Sequence, residues 1–306
     1  MINLNIEPRV NRTREEFIRD YPAFSIALDG FVIGKPWYDS NGPRANLNHH
    51  EEVDRLFTRS TCEQTHIAIK KGLLDKFQKD GQPYVNLNVN DGDQDVCLSV
   101  WLFRNHERIY RIKSEPLITR LVAVQGLLDT TAGIYPIDPK MSIIHELAWI
   151  FEPYVNARMA GRVPFMDENE TRNIIDTVGN RISEYTLGRG QKIEPDTRYR
   201  EIVSGNRWAV IEEIGYYARS ELFAKGINVF VSAKNRGDGT FSYSVGKADP
   251  YDDYSIEDGC RRLNQAEGIA QEETDKWSGG DMIFGSPRIM GSKLKPKDVT
   301  KILFEG

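Results

Sequence analysis

Three aspartates at alternate positions, Asp91, Asp93 and Asp95, offer a group of potential metal ligands. Their carboxylates repel one another in water, and a divalent cation removes that repulsion; oxygen ligands suit magnesium, manganese or calcium. The alternating stretch 84–89 before them predicts a strand, and the apolar stretch 97–103 after them predicts a buried helix. Ligands of open α/β sheets gather at the carboxyl ends of strands, so the position favours a metal site. A solvated acidic loop is the alternative.

The same D-x-D-x-D spacing also begins an EF-hand calcium loop. That loop needs Gly at its sixth position and Glu at its twelfth. Those positions hold Val96 and Leu102 in this chain. An EF-hand is therefore excluded, and a cation would have to be held in another way.

A second group of potential ligands is the triplet Asn48-His49-His50, which contains two of the five histidines. Neutral imidazole is a common ligand of transition metals. Neighbouring side chains in an extended segment point in opposite directions, so one imidazole can bind a metal while the other faces a phosphate or the protein. The alternative is a histidine pair on the surface.

Composition restricts the classes of function. The 306 residues predict two domains, and the net charge of -5 argues against a binder of long duplex DNA. An acidic chain can still bind a short nucleotide through divalent cations. Three widely spaced cysteines, Cys62, Cys97 and Cys260, support neither a disulfide framework nor a zinc site. We therefore expect a cytoplasmic protein with free thiols and no membrane partner; a homodimer is one of the assemblies left open.

The order of predicted elements indicates an α/β fold. We expect a mainly parallel sheet with helices on both faces over residues 1–190, and a smaller C-terminal α+β domain over 191–306. Residues 187–200 are polar and contain two glycines and a proline, as a linker would. The predicted strands are 23–34, 84–89, 227–234 and 240–247, residues 35–50 are predicted to be irregular, and the predicted helices are 61–74, 97–103, 117–128, 141–160, 168–186, 201–222 and 255–272.

Further segments complete a pattern with these groups: LDG at 28–30, YD at 38–39, LNHH at 47–50, and a predicted helix that ends at Asp129. The pattern resembles the DHH phosphoesterase superfamily, which includes RecJ-type exonucleases, short-oligonucleotide hydrolases and manganese pyrophosphatases. The nearest likeness is to an RNA-exonuclease branch with the signature V-D-x-G-x-x-Y-D followed by F-D-H-H. Residues 229–249 resemble the hairpin of the superfamily's substrate domain, and 278–291 stand in place of its glycine-rich loop.

Three features depart from that superfamily. The acidic motif follows the histidine pair instead of preceding it, which would require a permuted order of strands. Asp91 stands where the family has a histidine, and Asn48 stands where it has an aspartate. Loss of that charge is expected to weaken the orientation of the two histidines. Metal binding is therefore implied more directly than catalysis.

The resemblance implies a site with two Mn²⁺ or Mg²⁺ ions. The implied metal ligands are Asp29, His49, Asp91, Asp93, Asp95 and Asp129, with Asp93 and His50 as the catalytic residues. His50 would face the scissile phosphate as a hydrogen-bond donor or general acid.

Substrate binding is expected at Arg55 and Arg59, which precede a predicted helix, and at Gly279, Gly280 and Arg288. The alternatives are a capped helix with solvated arginines at the first place and an ordinary surface turn at the second.

The predicted function is hydrolysis of a phosphoester or phosphoanhydride bond, in a short nucleotide or oligonucleotide, by a two-metal mechanism. One alternative is a non-catalytic protein that binds metal or nucleotide on the same scaffold. Another is a two-domain protein whose acidic loop has no ligand. These hypotheses differ in one structural requirement: a metal site needs Asp29, His49, Asp93 and Asp129 to meet in one cleft.

Overall fold

The computed structural model describes residues 1–280 and 282–305. Within them the chain divides into two units, unit 1 with residues 1–130 and 142–194, and unit 2 with residues 131–141 and 195–305. Both units mix helices and strands, which confirms the predicted α/β class in outline. In the described part of the chain, every helix is too short or too polar to span a bilayer.

The main sheet of unit 1 has five strands in the order β1-β7-β2-β4-β3, and β5 and β6 form a separate small hairpin. β1, β7, β2 and β4 are parallel, while β3 pairs antiparallel with β4 at the edge. The carboxyl ends of β7, β2 and β4 therefore lie side by side. The strands are β1 Ile2–Ile6, β2 Ser25–Leu28, β3 Trp37–Asp39, β4 Arg44–Leu47, β5 Gln78–Lys79, β6 Gln82–Pro83 and β7 Val85–Val89.

The prediction that residues 35–50 are irregular is wrong. Gly42 and Pro43 do not break the sheet; they lie in the turn that joins β3 to β4. Gly42 adopts a left-handed backbone conformation (φ 71°), which glycine tolerates without strain. The structure thereby gives the histidine pair a regular strand directly before it.

The helices of unit 1 begin at recognisable caps. The side chains of Thr13, Ser60, Asp93 and Asp167 accept hydrogen bonds from the first turns of α1, α2, α3 and α6. α3 is buried from Asp95 to Phe103 and contacts α2, α4, α6 and β1. The helices are α1 Arg14–Asp20, α2 Thr61–Lys71, α3 Gln94–Arg104, α4 Pro116–Thr130, α5 Ser142–Met159 and α6 Glu168–Thr186.

Alternation along the strands separates two faces of the main sheet. Ile26 is fully buried on the apolar face. The other face is partly polar, and there the Asn3 side-chain amide donates to Asn86 Oδ1 at 2.8 Å across β1 and β7. Phe17 of α1 packs on this second face against Ala27, so helix α1 covers part of it.

Unit 2 is built on a six-stranded sheet in the order β12-β13-β11-β10-β9-β8. Its strands pair antiparallel except for β9 and β10. The strands are β8 Tyr199–Gly205, β9 Trp208–Glu213, β10 Val229–Asn235, β11 Phe241–Lys247, β12 Ser278–Gly279 and β13 Ile283–Gly285; the helices are α7 Ala218–Ala224, α8 Ile256–Glu267 and α9 Pro296–Phe304. Its core includes Val231, Val245, Leu263, Trp277 and Val299.

The predicted helix at 201–222 is wrong, because residues 199–213 form the β8–β9 hairpin. Arg207 takes a left-handed conformation (φ 61°) in the turn, and Ala209 to Ile211 are buried in the sheet. A short apolar run fits a buried strand as well as a helix, and here the sheet provides its partners. The two strands predicted at 227–234 and 240–247 are confirmed as β10 and β11, which pair as an antiparallel hairpin.

Candidate metal centre

The predicted ligands of unit 1 lie at the ends of neighbouring elements. Asp29 directly follows β2, His49 follows β4, and residues 91–95 follow β7 and begin α3. Asp129 lies in the last turn of α4. Because β7, β2 and β4 are adjacent parallel strands, residues far apart in sequence converge at one edge of the sheet.

His49 is the centre of this cluster, and its side chain is fully buried. Its Nε2 lies 2.7 Å from Asp129 Oδ2, 3.4 Å from Asp29 Oδ1 and 3.7 Å from Asp95 Oδ2. Potential ligand atoms of His49, Asp95 and Asp129 all lie within 4.8 Å of one another, as do those of Asp29, His49 and His50. One imidazole nitrogen and three carboxylates around it form a set of ligands typical of a divalent cation.

Several atoms of the cluster that could bind a metal have no hydrogen-bond partner among the described residues. Within residues 1–280 and 282–305, neither ring nitrogen of His49 has a hydrogen-bond partner, nor does Asp129 Oδ2. His49 Nε2 and Asp129 Oδ2 are close, but their orientation does not make a hydrogen bond. Buried polar atoms are nearly always satisfied, and a shared cation would satisfy both atoms. The residues present therefore fit a metal ion.

The shifted pKa values of the cluster residues also fit a bound metal ion. Burial alone would lower the pKa of His49, but the carboxylates of Asp129 and Asp29 raise it to about 10. Burial and then repulsion by Asp129 and Asp29 raise the pKa of Asp95 well above its ordinary value. Burial also opposes ionisation of Asp29, yet His50 and His49 hold its pKa well below the ordinary value. A positive charge among these acids favours their ionised forms, and a divalent cation can supply it.

Asp91 and Asp93 belong to the same electrostatic group. Asp93 caps α3 by accepting from Val96 N at 2.9 Å, and Asp91 Oδ1 accepts from Gly92 N at 2.6 Å. Burial has the largest effect and raises the pKa of each carboxyl, and the negative charge of Asp29 raises it further. Asp91 and Asp93 thus interact with the cluster through their charge, but among the described residues they belong to neither group of ligand atoms that lie within 4.8 Å of one another.

No family model, curated protein or solved structure matches this chain. Function is therefore inferred from the arrangement of Asp29, His49, Asp95 and Asp129 and from the chemistry of these groups.

The start of α2 does not offer its amides to a phosphate. Thr61 N and Cys62 N donate to the two oxygens of Asp95, at 2.6 and 2.8 Å. Ser60 caps the helix in a capping box with Glu63. Capping of α2 by Ser60 is therefore confirmed, and the predicted substrate role of Arg55 and Arg59 stays a prediction. Arg59 extends into solvent, with a guanidinium nitrogen 3.5 Å from Glu63 Oε1.

His50 lies between Asp29 and Arg55. Its Nε2 is 2.8 Å from Asp29 Oδ1, and its Nδ1 is 3.4 Å from Arg55 Nη1. A guanidinium can only donate, which assigns the His50 proton to Nε2 and directs it at Asp29. Arg55 Nη2 also donates to the Asp129 carbonyl at 2.8 Å. Both ring nitrogens thus contact the protein, and the role predicted for His50 at a phosphate would require the ring to leave one of them.

Asn48 corrects the sequence-based interpretation of this position. Its Oδ1 accepts from the backbone N–H groups of His49 and His50, at 2.8 and 3.1 Å. Its Nδ2 donates to the Gly34 carbonyl at 2.9 Å and to Glu51 Oε2 at 2.8 Å. The asparagine therefore orients the histidine pair through the backbone, and its amide hydrogens are needed. Glu51 was not selected from the sequence; its only signal is its position directly after the pair.

Changing Asn48→Asp is expected to lower the free energy of unfolding by about 2–3 kcal/mol, because a buried carboxylate would face the acceptors Gly34 O and Glu51 Oε2 without a donor. Urea denaturation near neutral pH measures the loss. The exposed Asn206→Asp is the matched control and should change stability little. Equal stability of Asn48→Asp and wild type would contradict the proposed hydrogen-bonding role.

Asp29 reaches the cluster through an unusual backbone conformation. Asp29 has a φ of 50° and Gly30 a φ of 80°, two successive left-handed residues directly after β2. Aspartate and glycine tolerate this region better than most residues. The sequence had marked Asp29 only through the LDG segment of the family pattern, and the turn itself is seen in the structure.

The substrate residues predicted near the C-terminus belong to unit 2. A Cβ on Gly279 would lie 2.3 Å from Ile283 O, so the β12–β13 hairpin itself requires this glycine. Gly280 has open space at that position, and Arg288 is exposed. Asp281, within the predicted glycine-rich segment, lies outside the described residues. These three substrate residues keep their predicted role as a hypothesis.

Proposed function

We propose that unit 1 is a metal-dependent phosphoesterase centre that hydrolyses a phosphoester or phosphoanhydride bond. The observation that carries this proposal is the convergence of His49 Nε2 with carboxylates of Asp29, Asp95 and Asp129 in a buried cluster. Carboxylates crowded in this way are costly unless a cation compensates them. A short nucleotide or oligonucleotide suits the acidic chain better than a long duplex.

The mixed nitrogen and oxygen ligands fit Mn²⁺, and Mg²⁺ is the other candidate. The residues that would hold two ions are Asp29, His49, Asp91, Asp93, Asp95 and Asp129. Bound ions of this type make a hydroxide available near neutral pH and offset the charge of a phosphoester in its transition state.

The chain itself supplies groups that would hold the substrate. The Arg55 side chain is 22% exposed, beside Asp129 and His50. Its Nε is buried and has no hydrogen-bond partner among the described residues, so this donor would pair with a phosphate oxygen that entered the cluster. His50 is 29% exposed and lies on the same cluster. Arg59 remains a proposed substrate contact of unit 1, and Gly279, Gly280 and Arg288 remain proposed substrate contacts of unit 2.

The strand order is compatible with the proposed likeness to the DHH phosphoesterases. β7, β2 and β4 lie next to one another, so the acidic motif, Asp29 and the histidine pair can meet whatever their order along the chain. On this proposal residues 1–190 act as a DHH-like metal-binding domain with helices on both faces of its sheet. Residues 191–306 then act as a substrate-binding domain.

A second candidate is a protein that binds metal or nucleotide without turnover. The contacts of His50 favour it, because both ring nitrogens are held by Asp29 and Arg55. The aspartate at position 91, where the superfamily has a histidine, favours it as well.

One assay separates these candidates. The protein is incubated with Mn²⁺ or Mg²⁺ and with short oligonucleotides, cyclic dinucleotides, bis-nucleotides and pyrophosphate. The double variant Asp93→Ala/Asp95→Ala is expected to lose metal-dependent hydrolysis, whereas the exposed Asp253→Ala should match wild type. Hydrolysis that persists in the double variant would refute the mechanism. Metal binding without hydrolysis in wild type, lost in the double variant, would establish the second candidate.

A further inference from the structure

Thr61, the first residue of α2, is fully buried and contacts two of the proposed metal ligands. Its Oγ1 lies 3.0 Å from Asp29 Oδ1 and 3.1 Å from the Leu47 carbonyl. Its backbone N–H donates to Asp95 Oδ2 at 2.6 Å. One residue thus connects the carboxylate that follows β2 to the carboxylate that begins α3.

The hydroxyl has one hydrogen to donate, and an ionised carboxylate is a stronger acceptor than a carbonyl. The hydrogen bond to Asp29 is therefore favoured over the one to Leu47. Asp29 Oδ1 is also the oxygen that His50 Nε2 approaches at 2.8 Å. Two donors on Oδ1 set the rotation of the Asp29 carboxylate and so determine where its second oxygen points.

Helix capping does not explain the Thr61 hydroxyl. Ser60 already occupies the N-cap position and forms the capping box with Glu63. Thr61 Oγ1 donates away from the helix, towards the proposed ligand Asp29. Groups that orient ligands in this way are typically nearly as important for metal affinity as the ligands themselves.

We propose that Thr61 is a positioning residue of the metal centre, which orients Asp29 through its hydroxyl and Asp95 through its amide. This inference rests on the proposed function, since it concerns the same site. It assigns to Thr61 a role that is distinct from both capping and phosphate binding.

Mn²⁺ titration of Thr61→Val and Thr61→Ser, followed by calorimetry or by electron paramagnetic resonance of free Mn²⁺, tests the proposal. Thr61→Val keeps the amide and the shape but loses the hydroxyl, and its affinity should fall by about 10- to 100-fold. Thr61→Ser keeps the hydroxyl and should bind close to wild type. Thr65→Val is the matched control: Thr65 is equally buried on α2, and its hydroxyl has no hydrogen-bond partner among the described residues.

The outcomes separate this inference from the proposed function. Wild-type affinity in Thr61→Val would overturn the positioning role and leave the metal centre intact. An equal loss in Thr61→Val and Thr65→Val would overturn it too, because a general packing defect would then explain both. Failure of wild type to bind Mn²⁺ would overturn both proposals. Should Thr61→Val not fold, Thr61→Ala removes the same hydroxyl and must show the same loss, with rescue by Thr61→Ser.

Discussion

Changing His49→Ala is expected to abolish specific Mn²⁺ binding and any metal-dependent hydrolysis. The loss of affinity should exceed the roughly 100-fold that is typical when a residue that only orients a metal ligand is removed. His49 Nε2 approaches Asp29, Asp95 and Asp129 together. Removing it takes a ligand from the centre of the group and leaves these three carboxylates without the imidazole between them. Calorimetric titration with Mn²⁺ measures the first effect directly.

The same substitution should also destabilise the metal-free protein, by about 3–5 kcal/mol, because breaking a buried ion pair leaves uncompensated charge. Urea denaturation in the presence of a chelator measures this effect. His106→Ala is the control: His106 contacts the Phe103 carbonyl and is half-buried in another part of unit 1. A His49→Ala protein that binds Mn²⁺ like wild type would contradict the metal centre.

The affinity for Mn²⁺ is expected to rise steeply with pH. In the metal-free protein the pKa of His49 is raised to about 10, so its imidazole is protonated at neutral pH. The pKa values of Asp93 and Asp95 are raised well above their ordinary value, so these groups also favour bound protons. Metal ligands must be deprotonated, and binding therefore releases protons. Each proton released makes the affinity rise about tenfold per pH unit.

Stability without metal should change in the opposite direction. The folded pKa of His49 is raised above its ordinary value of 6.5, so its stabilising contribution is complete below 6.5 and is lost as pH rises through about 10. The stabilisation of the protein by Mn²⁺ should therefore grow as pH rises from about 6 to about 8. Calorimetry in buffers of different ionisation enthalpy counts the protons released. An affinity that does not change with pH would mean that Mn²⁺ binds elsewhere.

Local sequence signals selected some of the ligands of unit 1. Asp93 and Asp95 were marked by their spacing before an apolar helix, whereas Asp29 and Asp129 were implied only by the resemblance to the DHH phosphoesterases. His49 was marked by the rarity of histidine in the chain. These signals depend on residues that are close in sequence, and they can therefore be recognised without a structure.

The contacts among those ligands depended on the order of the strands in the sheet. Asp29, His49 and Asp95 follow β2, β4 and β7, and their convergence requires these three strands to be neighbours, while Asp129 comes from helix α4. Hydrophobic periodicity predicts that a strand exists and does not reveal which strands pair with it. The same lack of information explains the error at 201–222, where a short apolar run became β9 because β8 and β10 flank it.

The amino-acid sequence by itself determined the α/β class in outline, the ligand types of the acidic cluster and the exclusion of an EF-hand. Only the tertiary structure decided what each site residue contacts. Asn48 accepts a hydrogen bond from the His49 backbone, and Arg55 contacts the His50 ring. The Thr61 amide donates to Asp95 and not to a phosphate. The physical reason is that a hydrogen bond depends on distances of a few tenths of an ångström between atoms that packing brings together. The sequence predicted a cation at the Asp91–Asp95 cluster, and the fold brings His49 and Asp129 close to Asp95.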